Sequence, residues 1–294
     1  MIVAAILAVA LSVPLPGTGV RLAEKTGDPV RLSAYGLGAK QVYLRGTQGF
    51  VRQKALSEVA VSPDQTKAAG VPTSYKDGRD GLVLIDRATG RSVRVPTVKM
   101  PLTASYASWS RDGSKVALTV ERKTAGKWRS VGYTVVDVAR RTAITVTPAG
   151  LDARATLWWS PDGTLVSRYK TGVRFYRAAD GKTVRTYLKT GLPTGPEDPF
   201  SPSGKRLATW CPARYTEHVC LADPATGAIA QRVAVRPAAL FGWWDETHLI
   251  AALPKGAAYE LAVVDLTGKT TRVLGGVPAK AWKAGFWVNF VRQR

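Results

Sequence analysis

The stretch WWSPDGTLV, residues 158–166, has the composition of a tight turn between two strands. Proline enters such a turn with its φ angle already near the required value. Aspartate accepts hydrogen bonds from nearby backbone amides, and glycine tolerates the conformation at the exit. Apolar residues stand on both sides of these turn residues, as in strands that meet at a hairpin. We therefore predict a turn over residues 160–163 with a strand on each side.

The same wording recurs along the chain. The copies are VSPDQTKAA from Val61, WSRDGSKVAL from Trp109, WSPDGTLVSR from Trp159, FSPSGKRLAT from Phe200 and the degenerate WWDETHLIAAL from Trp243. Their first positions are 48, 50, 41 and 43 residues apart, and a further 43 residues lead to Phe286 in GFWVNFV. Periods in the forties with several short strands in each unit are typical of β-propeller blades.

The repeat residues are assigned a structural role at the turn between the first and second strands of each blade. The bulky side chain before the turn can pack between neighbouring blades. The residues given this role are Ser62, Pro63, Asp64, Trp109, Asp112, Gly113, Trp159, Pro161, Asp162, Gly163, Phe200, Pro202, Gly204 and Trp243.

A second phrase follows in every unit and predicts the third and fourth strands. It reads VLIDRATGRSVRV from Val83, YTVVDVARRTAITV from Tyr133, VRFYRAADGKTVRTY from Val173, VCLADPATGAIAQRV from Val219 and LAVVDLTGKTTRVL from Leu261. In each, an apolar strand meets a turn and a second strand leaves it. The chain therefore contains five complete four-stranded units.

The two ends of the chain supply the remaining blade. GVRLAEKTGDPVRL from Gly19 has the form of an outer pair of strands, and GFWVNFVRQR has the form of an inner strand. Joined, they close the ring and remove the unpaired sheet edges of an open array. Residues 33–60 either add a hairpin or complete this shared blade, and the sequence leaves both possibilities open.

The repeat resembles the TolB-like or WD-like β-propeller repeat of exported bacterial proteins. Five copies over residues 61–274 carry the resemblance, with departures at Ser203, which replaces aspartate, and in the copy at Trp243, which lacks proline and glycine. The resemblance implies an all-β, six-bladed propeller outside the cytoplasmic membrane.

The chain is strongly basic. Its 42 Lys and Arg residues exceed its 21 Asp and Glu residues, which gives a net charge of +21. Such a charge attracts nucleic acid, anionic lipid headgroups and anionic cell-wall polymers. A direct nucleic-acid function is disfavoured because the sequence holds no known base-reading module. A solvated basic surface without a specific partner also explains the charge.

The first residues, MIVAAILAVALSVPLP, form an apolar stretch that suits the core of a signal peptide better than a membrane span. We therefore divide the chain into residues 1–18, a truncated signal or membrane-anchor segment, and residues 19–294, a single propeller domain. The alternative is that the stretch is a buried first strand.

Cys211 and Cys220 flank a short segment between two predicted strands. We predict a disulfide across this hairpin, which export would make stable. A zinc site is disfavoured because two thiols and His218 lack a fourth ligand nearby.

No catalytic constellation is evident. A nucleophile elbow of the form G-x-S-x-G is absent, and so are sialidase boxes with their Thr-Trp pair. His218 and His248 are the candidate imidazole bases, and both fall in predicted surface turns. We therefore expect no catalytic residues, cofactor or metal. The competing hypothesis is a hydrolase or lyase with its site in the central channel.

Lys127, Trp128 and Arg129 are the candidate ligand contacts, because cations beside an aromatic ring can hold an anionic sugar polymer. Equally, Trp128 can cap a hairpin. The sequence thus predicts a monomeric, non-enzymatic scaffold, secreted or anchored at the cell membrane. Its partner would be a protein or an anionic envelope polymer.

Overall fold

The repeats fold as the blades of a six-bladed β-propeller. A computed structural model describes residues 10–195 and 198–293, and within them six four-stranded sheets, a two-stranded hairpin and a short helix are formed. The elements are β1 (Ala10–Leu15), β2 (Val20–Lys25), β3 (Val30–Leu37), β4 (Gln41–Gly46), β5 (Gly49–Arg52), β6 (Leu56–Val61), β7 (Lys67–Pro72), β8 (Arg79–Asp86), β9 (Ser92–Lys99), β10 (Thr103–Trp109), β11 (Lys115–Thr124), β12 (Lys127–Asp137), β13 (Thr142–Val146), β14 (Leu157–Trp159), β15 (Thr164–Tyr169), β16 (Gly172–Arg177), β17 (Thr183–Tyr187), β18 (Leu192–Pro193), β19 (Leu207–Trp210), β20 (Val219–Ala222), β21 (Ile229–Val233), β22 (Ala239–Trp243), β23 (His248–Lys255), β24 (Ala258–Asp265), β25 (Thr270–Val277), α1 (Ala279–Lys283) and β26 (Phe286–Arg292).

The first five blades follow the sequence order. Blades 1 to 5 are β6–β9, β10–β13, β14–β17, β18–β21 and β22–β25, with every neighbouring pair antiparallel. Blade 6 has the order β26-β3-β4-β5, so its innermost strand comes from the C-terminal end and its other three from the N-terminal end. The predicted closure of the ring by both ends of the chain is confirmed.

The strands that complete blade 6 differ from the prediction. Residues 19–32 were assigned as its outer pair, and this is wrong, because β2 pairs with β1 in a separate hairpin and only residues from Val30 onward enter the blade. Of residues 33–60, those up to Arg52 complete the shared blade through the rest of β3, with β4 and β5, whereas β6 of blade 1 begins at Leu56. The buried Tyr35 ring stacks on Tyr43 within this blade, at a centroid distance of 4.8 Å.

The β1–β2 hairpin covers the junction of blades 5 and 6. Val20 and Leu22 are buried in a cluster that contains residues of both blades. Glu24 accepts hydrogen bonds from Arg45 of blade 6 at 2.6 and 2.8 Å. Apolar burial and this ion pair therefore hold the hairpin against the closing junction.

The N-terminal prediction concerns residues 1–18. Residues 1–9 lie outside the described residues, and Ala10–Leu15 form β1. The signal or anchor assignment, and the domain boundary at residue 18, stay predictions. Among the residues that the structure describes, no helix is long and apolar enough to cross a membrane.

The two faces of the ring differ in their connections. The first and second strands of a blade, and the third and fourth, are joined at one face, which we call the turn face. The second and third strands are joined at the opposite face, the hairpin face. This division follows from the antiparallel order of each blade around one channel.

Candidate functional site

The repeat residues lie in the turns that the sequence predicts for them. In blade 2, Ser110 Oγ donates to Asp112 Oδ1 at 2.6 Å, and the Ser114 amide donates to the same oxygen at 3.0 Å. Gly113 has a φ of 70°, which favours glycine. Hydrogen bonds from Ser110 and Ser114 lower the pKa of Asp112 to about 2. This carboxylate is committed to the turn.

The bulky residue before each turn packs between blades. Trp109, Trp159 and Trp243 each donate the indole N–H to a carbonyl on the channel side of the preceding blade, at 3.0 Å in every instance. The acceptors are Ala60, Ser108 and Pro199 respectively. Phe200 holds the same repeat position in blade 4. Its side chain is also buried, but a phenyl ring has no N–H group to donate.

The inner strand of blade 4 is interrupted. β18 contains only Leu192 and Pro193, and Phe200 forms an isolated bridge with Leu207. Pro193 and Pro199 have no backbone N–H, so a continuous ladder is not available here. Asp198 lies in this interruption and lines the channel.

Arg111 crosses the turn end of the channel. It occupies the position that proline holds in other copies of the repeat. It donates to the carbonyl oxygens of Ser201 and Pro202, both at 2.7 Å, and lies 3.2 Å from Asp198 Oδ2. Blade 2 is therefore joined directly to blade 4. A cavity of about 390 Å³ remains between these groups and Arg292.

The hairpin end of the channel opens into a larger cavity of about 550 Å³, which we call the channel-mouth cavity. Among its described lining residues, Glu58 is the charged side chain. The others are Gly38, Ala39, Ser57, Val59, Ala60, Ser105, Tyr106, Ala107, Ser108, Thr156, Trp158, Gly195, Trp287 and Asn289. Aromatic walls with a few hydroxyl groups and one carboxylate are typical of a ligand pocket.

Two acidic side chains of blade 1 hold the inner strand of blade 2 at this cavity. Glu58 Oε1 accepts the hydrogen bond of the Ala107 amide. Asp80 Oδ2 accepts that of the Ala104 amide at 2.8 Å. Burial raises the pKa of both carboxyl groups, and at Glu58 the nearby charge of Glu121 raises it further.

Tyr106 lies in the segment that these carboxyl groups position. The register of β10 with β11 shifts between Ser105 and Ser108, and Tyr106 has a φ of 59°. A tyrosine rarely adopts this conformation, which persists only where the surroundings impose it. Its side chain is 48% exposed. Glu121 accepts a hydrogen bond from Ser105 Oγ at 2.8 Å beside it.

Sequence reasoning missed Glu58, Tyr106, Arg111 and Asp198. Two of them carried a signal: Glu58 interrupts the apolar first strand of blade 1, and Arg111 replaces the proline of the repeat. Tyr106 has no such signal, because its exposure depends on an irregular register between β10 and β11.

The predicted disulfide is present between Cys211 and Cys220. His218 lies in the loop that it closes, and its carbonyl accepts the Cys211 amide at 2.9 Å. His248 begins β23, directly after a turn of blade 5, and its Nδ1 is 2.9 Å from Asp245 Oδ1. Within residues 10–195 and 198–293, no group of three or more His, Cys, Asp or Glu side chains is placed to hold a metal ion.

Lys127, Trp128 and Arg129 begin strand β12, away from the channel. All three are exposed, and Trp128 is 50% exposed. Trp128 pairs in register with Lys123 across the hairpin. Ligand contact by these residues, and the alternative that Trp128 caps the hairpin, stay predictions.

Comparison with known proteins identifies the fold. No protein-family model matches the chain, and no curated protein matches it. TolB from Acinetobacter baumannii is 19% identical with a TM-score of 0.54, over 90% of this chain and 66% of TolB. The present chain thus spans just under two thirds of that protein.

Two further solved structures share the architecture. Oligogalacturonate lyase from Vibrio parahaemolyticus is 12% identical with a TM-score of 0.57, over 90% of this chain and 84% of the lyase. The β-propeller domain of the Trilobed protease from Pyrococcus furiosus is 14% identical with a TM-score of 0.55, over 80% and 76%. The chain is therefore similar to TolB and to propellers of enzymes in its six-bladed fold.

Proposed function

We propose that this protein is a non-enzymatic scaffold that works outside the cytoplasmic membrane and binds a ligand or partner segment at the channel-mouth cavity. The observation that carries the proposal is the cavity of about 550 Å³, which has the size and the mainly apolar walls of a ligand pocket. Tyr106, Trp158 and Trp287 provide aromatic surface, which contributes strongly to recognition.

The two ends of the channel support this choice of site. At the turn end, the hydrogen bonds of Arg111 already satisfy the facing carbonyl groups of Ser201 and Pro202. At the hairpin end, Tyr106 is held in a left-handed conformation and remains half exposed. Residues with a strained backbone conformation cluster at binding and active sites.

The placement outside the cytoplasmic membrane rests on the disulfide and on the TolB-like fold. Disulfides persist in oxidising compartments and are rare where glutathione and thioredoxin keep thiols reduced. The Cys211–Cys220 bond therefore fits an extracytoplasmic protein. The proposal covers a secreted protein and also one that its N-terminal segment anchors to the cell membrane.

A lyase or hydrolase working in the channel is the second candidate. Glu58 favours it, because a cavity carboxyl group with a raised pKa is a feature of general acids. Against it, Glu58 Oε1 is already used to hold the Ala107 amide. This contact gives Glu58 a positioning role for Tyr106.

Site-specific cross-linking tests the proposal. A photoreactive benzoylphenylalanine replaces Tyr106 in the full chain, which is then irradiated with cell-envelope fractions. The matched control carries the same group at Val184, which is 51% exposed on β17 and does not line the cavity. We expect a discrete adduct from position 106 that is absent from position 184.

Three outcomes contradict this function. Identical adducts from both positions, or none from position 106, mean that the cavity does not select a partner. Turnover of oligogalacturonate by the unmodified protein, abolished in Glu58→Gln while folding is retained, establishes the enzyme instead.

A further inference from the structure

The hairpin between β11 and β12 extends away from the body of the propeller. Its last anchored positions are Ser130, whose Oγ donates to the Ala155 carbonyl at 2.6 Å, and Glu121, which accepts from Ser105. Beyond them, residues 122–129 are all exposed, and we call this segment the finger. Three residue pairs in register give it a length of about 10 Å.

The finger carries four cations and no acidic residue. Arg122 lies opposite Arg129, and Lys127 lies opposite Thr124 on the same side of the ribbon. Lys123 lies on the other side. Like charges directly opposite in neighbouring strands destabilise a hairpin. An anionic partner removes this repulsion, so the arrangement is suited to contact with negative charge.

Trp128 adds an amphipathic ring among these cations. It lies opposite Lys123 and leaves half of its surface to solvent. An indole has an apolar body and an N–H group, and such rings are enriched at the level of lipid headgroups. The finger has cations on both sides of the ribbon. This distribution fits a tip that is surrounded by lipid headgroups better than it fits a single polymer strand, which would contact only one side.

Further cations lie on the rest of the hairpin face, where Asp77 and Glu217 also lie in the connections. Each blade has an exposed Lys or Arg at or beside the connection between its second and third strands. These are Lys40, Lys76, Lys123, Lys127, Lys170, Arg214 and Lys255. The aspartates of the repeats lie at the turn face, which also carries exposed cations such as Lys182 and Lys205. These aspartates are Asp64, Asp86, Asp112, Asp137, Asp162, Asp180, Asp223, Asp245 and Asp265.

We infer that the finger docks on the surface of an anionic lipid bilayer, with Trp128 at headgroup level and Arg122, Lys123, Lys127 and Arg129 around it. The charge on the hairpin face orients the protein towards the bilayer. The inference goes beyond the proposed function, because it concerns a surface that does not line the channel-mouth cavity.

Vesicle sedimentation tests this docking. The full chain is mixed with vesicles of phosphatidylglycerol and phosphatidylcholine in about equal amounts, or of phosphatidylcholine alone, at low and high salt. Binding is expected to the anionic vesicles, weakening as salt rises. Because each cation near the surface contributes about 1 kcal/mol, Lys123→Glu with Lys127→Glu is expected to lower the partition coefficient roughly 30-fold or more.

The matched control is Lys182→Glu with Lys205→Glu. Both lysines are exposed on the turn face, and the pair changes the net charge by the same amount. We expect this variant to bind like the unmodified protein. Trp128→Ala is expected to weaken the binding that remains at high salt, because it removes apolar contact and no charge.

Several results overturn the inference. An equal loss in both double variants assigns the binding to overall charge. If the protein does not sediment with anionic vesicles, it does not dock on an anionic bilayer. The finger is a site for soluble polyanions if the protein binds soluble polyglutamate as tightly as anionic vesicles and Trp128→Ala changes neither affinity. All of these results are independent of cross-linking from position 106, which tests the proposed function.

Discussion

At the scale of single residues, the carboxyl groups fall into two kinds with opposite behaviour. Turn aspartates such as Asp112 accept several hydrogen bonds, which favour the charged form and lower the pKa. Glu58 and Asp80 also accept backbone amides, but burial dominates and raises the pKa. The first kind fixes turns within blades, whereas the second joins blade 1 to the inner strand of blade 2.

Glu58 makes a testable contribution to the pH dependence of stability. Its pKa in the folded protein is raised above the ordinary value of 4.5, so the folded state binds its proton more tightly than the unfolded state. The contribution is fully present below the unfolded pKa and is lost as pH rises through the folded pKa. We expect Glu58→Gln to abolish this pH-dependent loss of stability. The glutamine side-chain oxygen can still accept the hydrogen bond of the Ala107 amide. Urea unfolding from acid to neutral pH measures it.

Glu58→Ala is the comparison for that experiment. This change leaves the Ala107 amide without its acceptor, and we expect a loss of about 1–3 kcal/mol at all pH values. Equal pH profiles for the unmodified protein and Glu58→Gln would show that Glu58 does not titrate in this range.

At the scale of elements, the blades are joined by a repeated contact. An indole at the end of one inner strand donates to a carbonyl of the preceding blade in three places. Blade 4 departs from this arrangement, since Phe200 cannot donate and its inner strand is interrupted by prolines. Arg111 joins blades 2 and 4 near this interruption and reinforces the ring there.

A single substitution removes the indole hydrogen bond of blade 3. Trp159→Phe deletes the donor to the Ser108 carbonyl and also removes one ring of a buried indole, so we expect a destabilisation of about 2–4 kcal/mol, measured by urea unfolding. Phe200→Leu is the control, because it changes apolar packing at the same repeat position without affecting an N–H group. A neutral Trp159→Phe would mean that water replaces the lost donor at no cost.

At the scale of the whole molecule, the ring is closed by pairing between distant parts of the chain. β26 pairs with β3, and Val288 of β26 is fully buried. The β1–β2 hairpin then covers the junction of blades 5 and 6. Closure satisfies strand edges that would otherwise be free to pair with other chains.

Removal of residues 286–294 is expected to abolish cooperative thermal unfolding and to expose apolar surface to a hydrophobic dye. The cause is the loss of the inner strand of blade 6, which leaves the edge of β3 unpaired. Deletion of Lys123, Thr124, Lys127 and Trp128 shortens the finger at its tip and is the control. That variant should unfold cooperatively near the temperature of the unmodified protein. Cooperative unfolding of the truncated chain would show that closure is dispensable.

The sequence alone determined the number and kind of blades, the turns between their first and second strands, and the Cys211–Cys220 pair. These features are local: Ser, Pro, Asp and Gly specify a turn within a few residues, and alternating apolar residues specify its strands. Repetition made the signal strong. The composition of β2 was equally strand-like, but local pattern does not say which strand is its neighbour, so the outer strands of blade 6 were misassigned.

Only the tertiary structure decided what the channel contains. Glu58 meets Ala107 across 49 residues of chain, and Arg111 meets Asp198 across 87. Such contacts join different blades, and the sequence around either residue does not indicate which residue it contacts. The exposure of Trp128 was likewise decided by the length of β11 and β12 beyond their anchored residues. Sequence fixes the elements through short-range chemistry, whereas the site arises where the ring brings distant elements together.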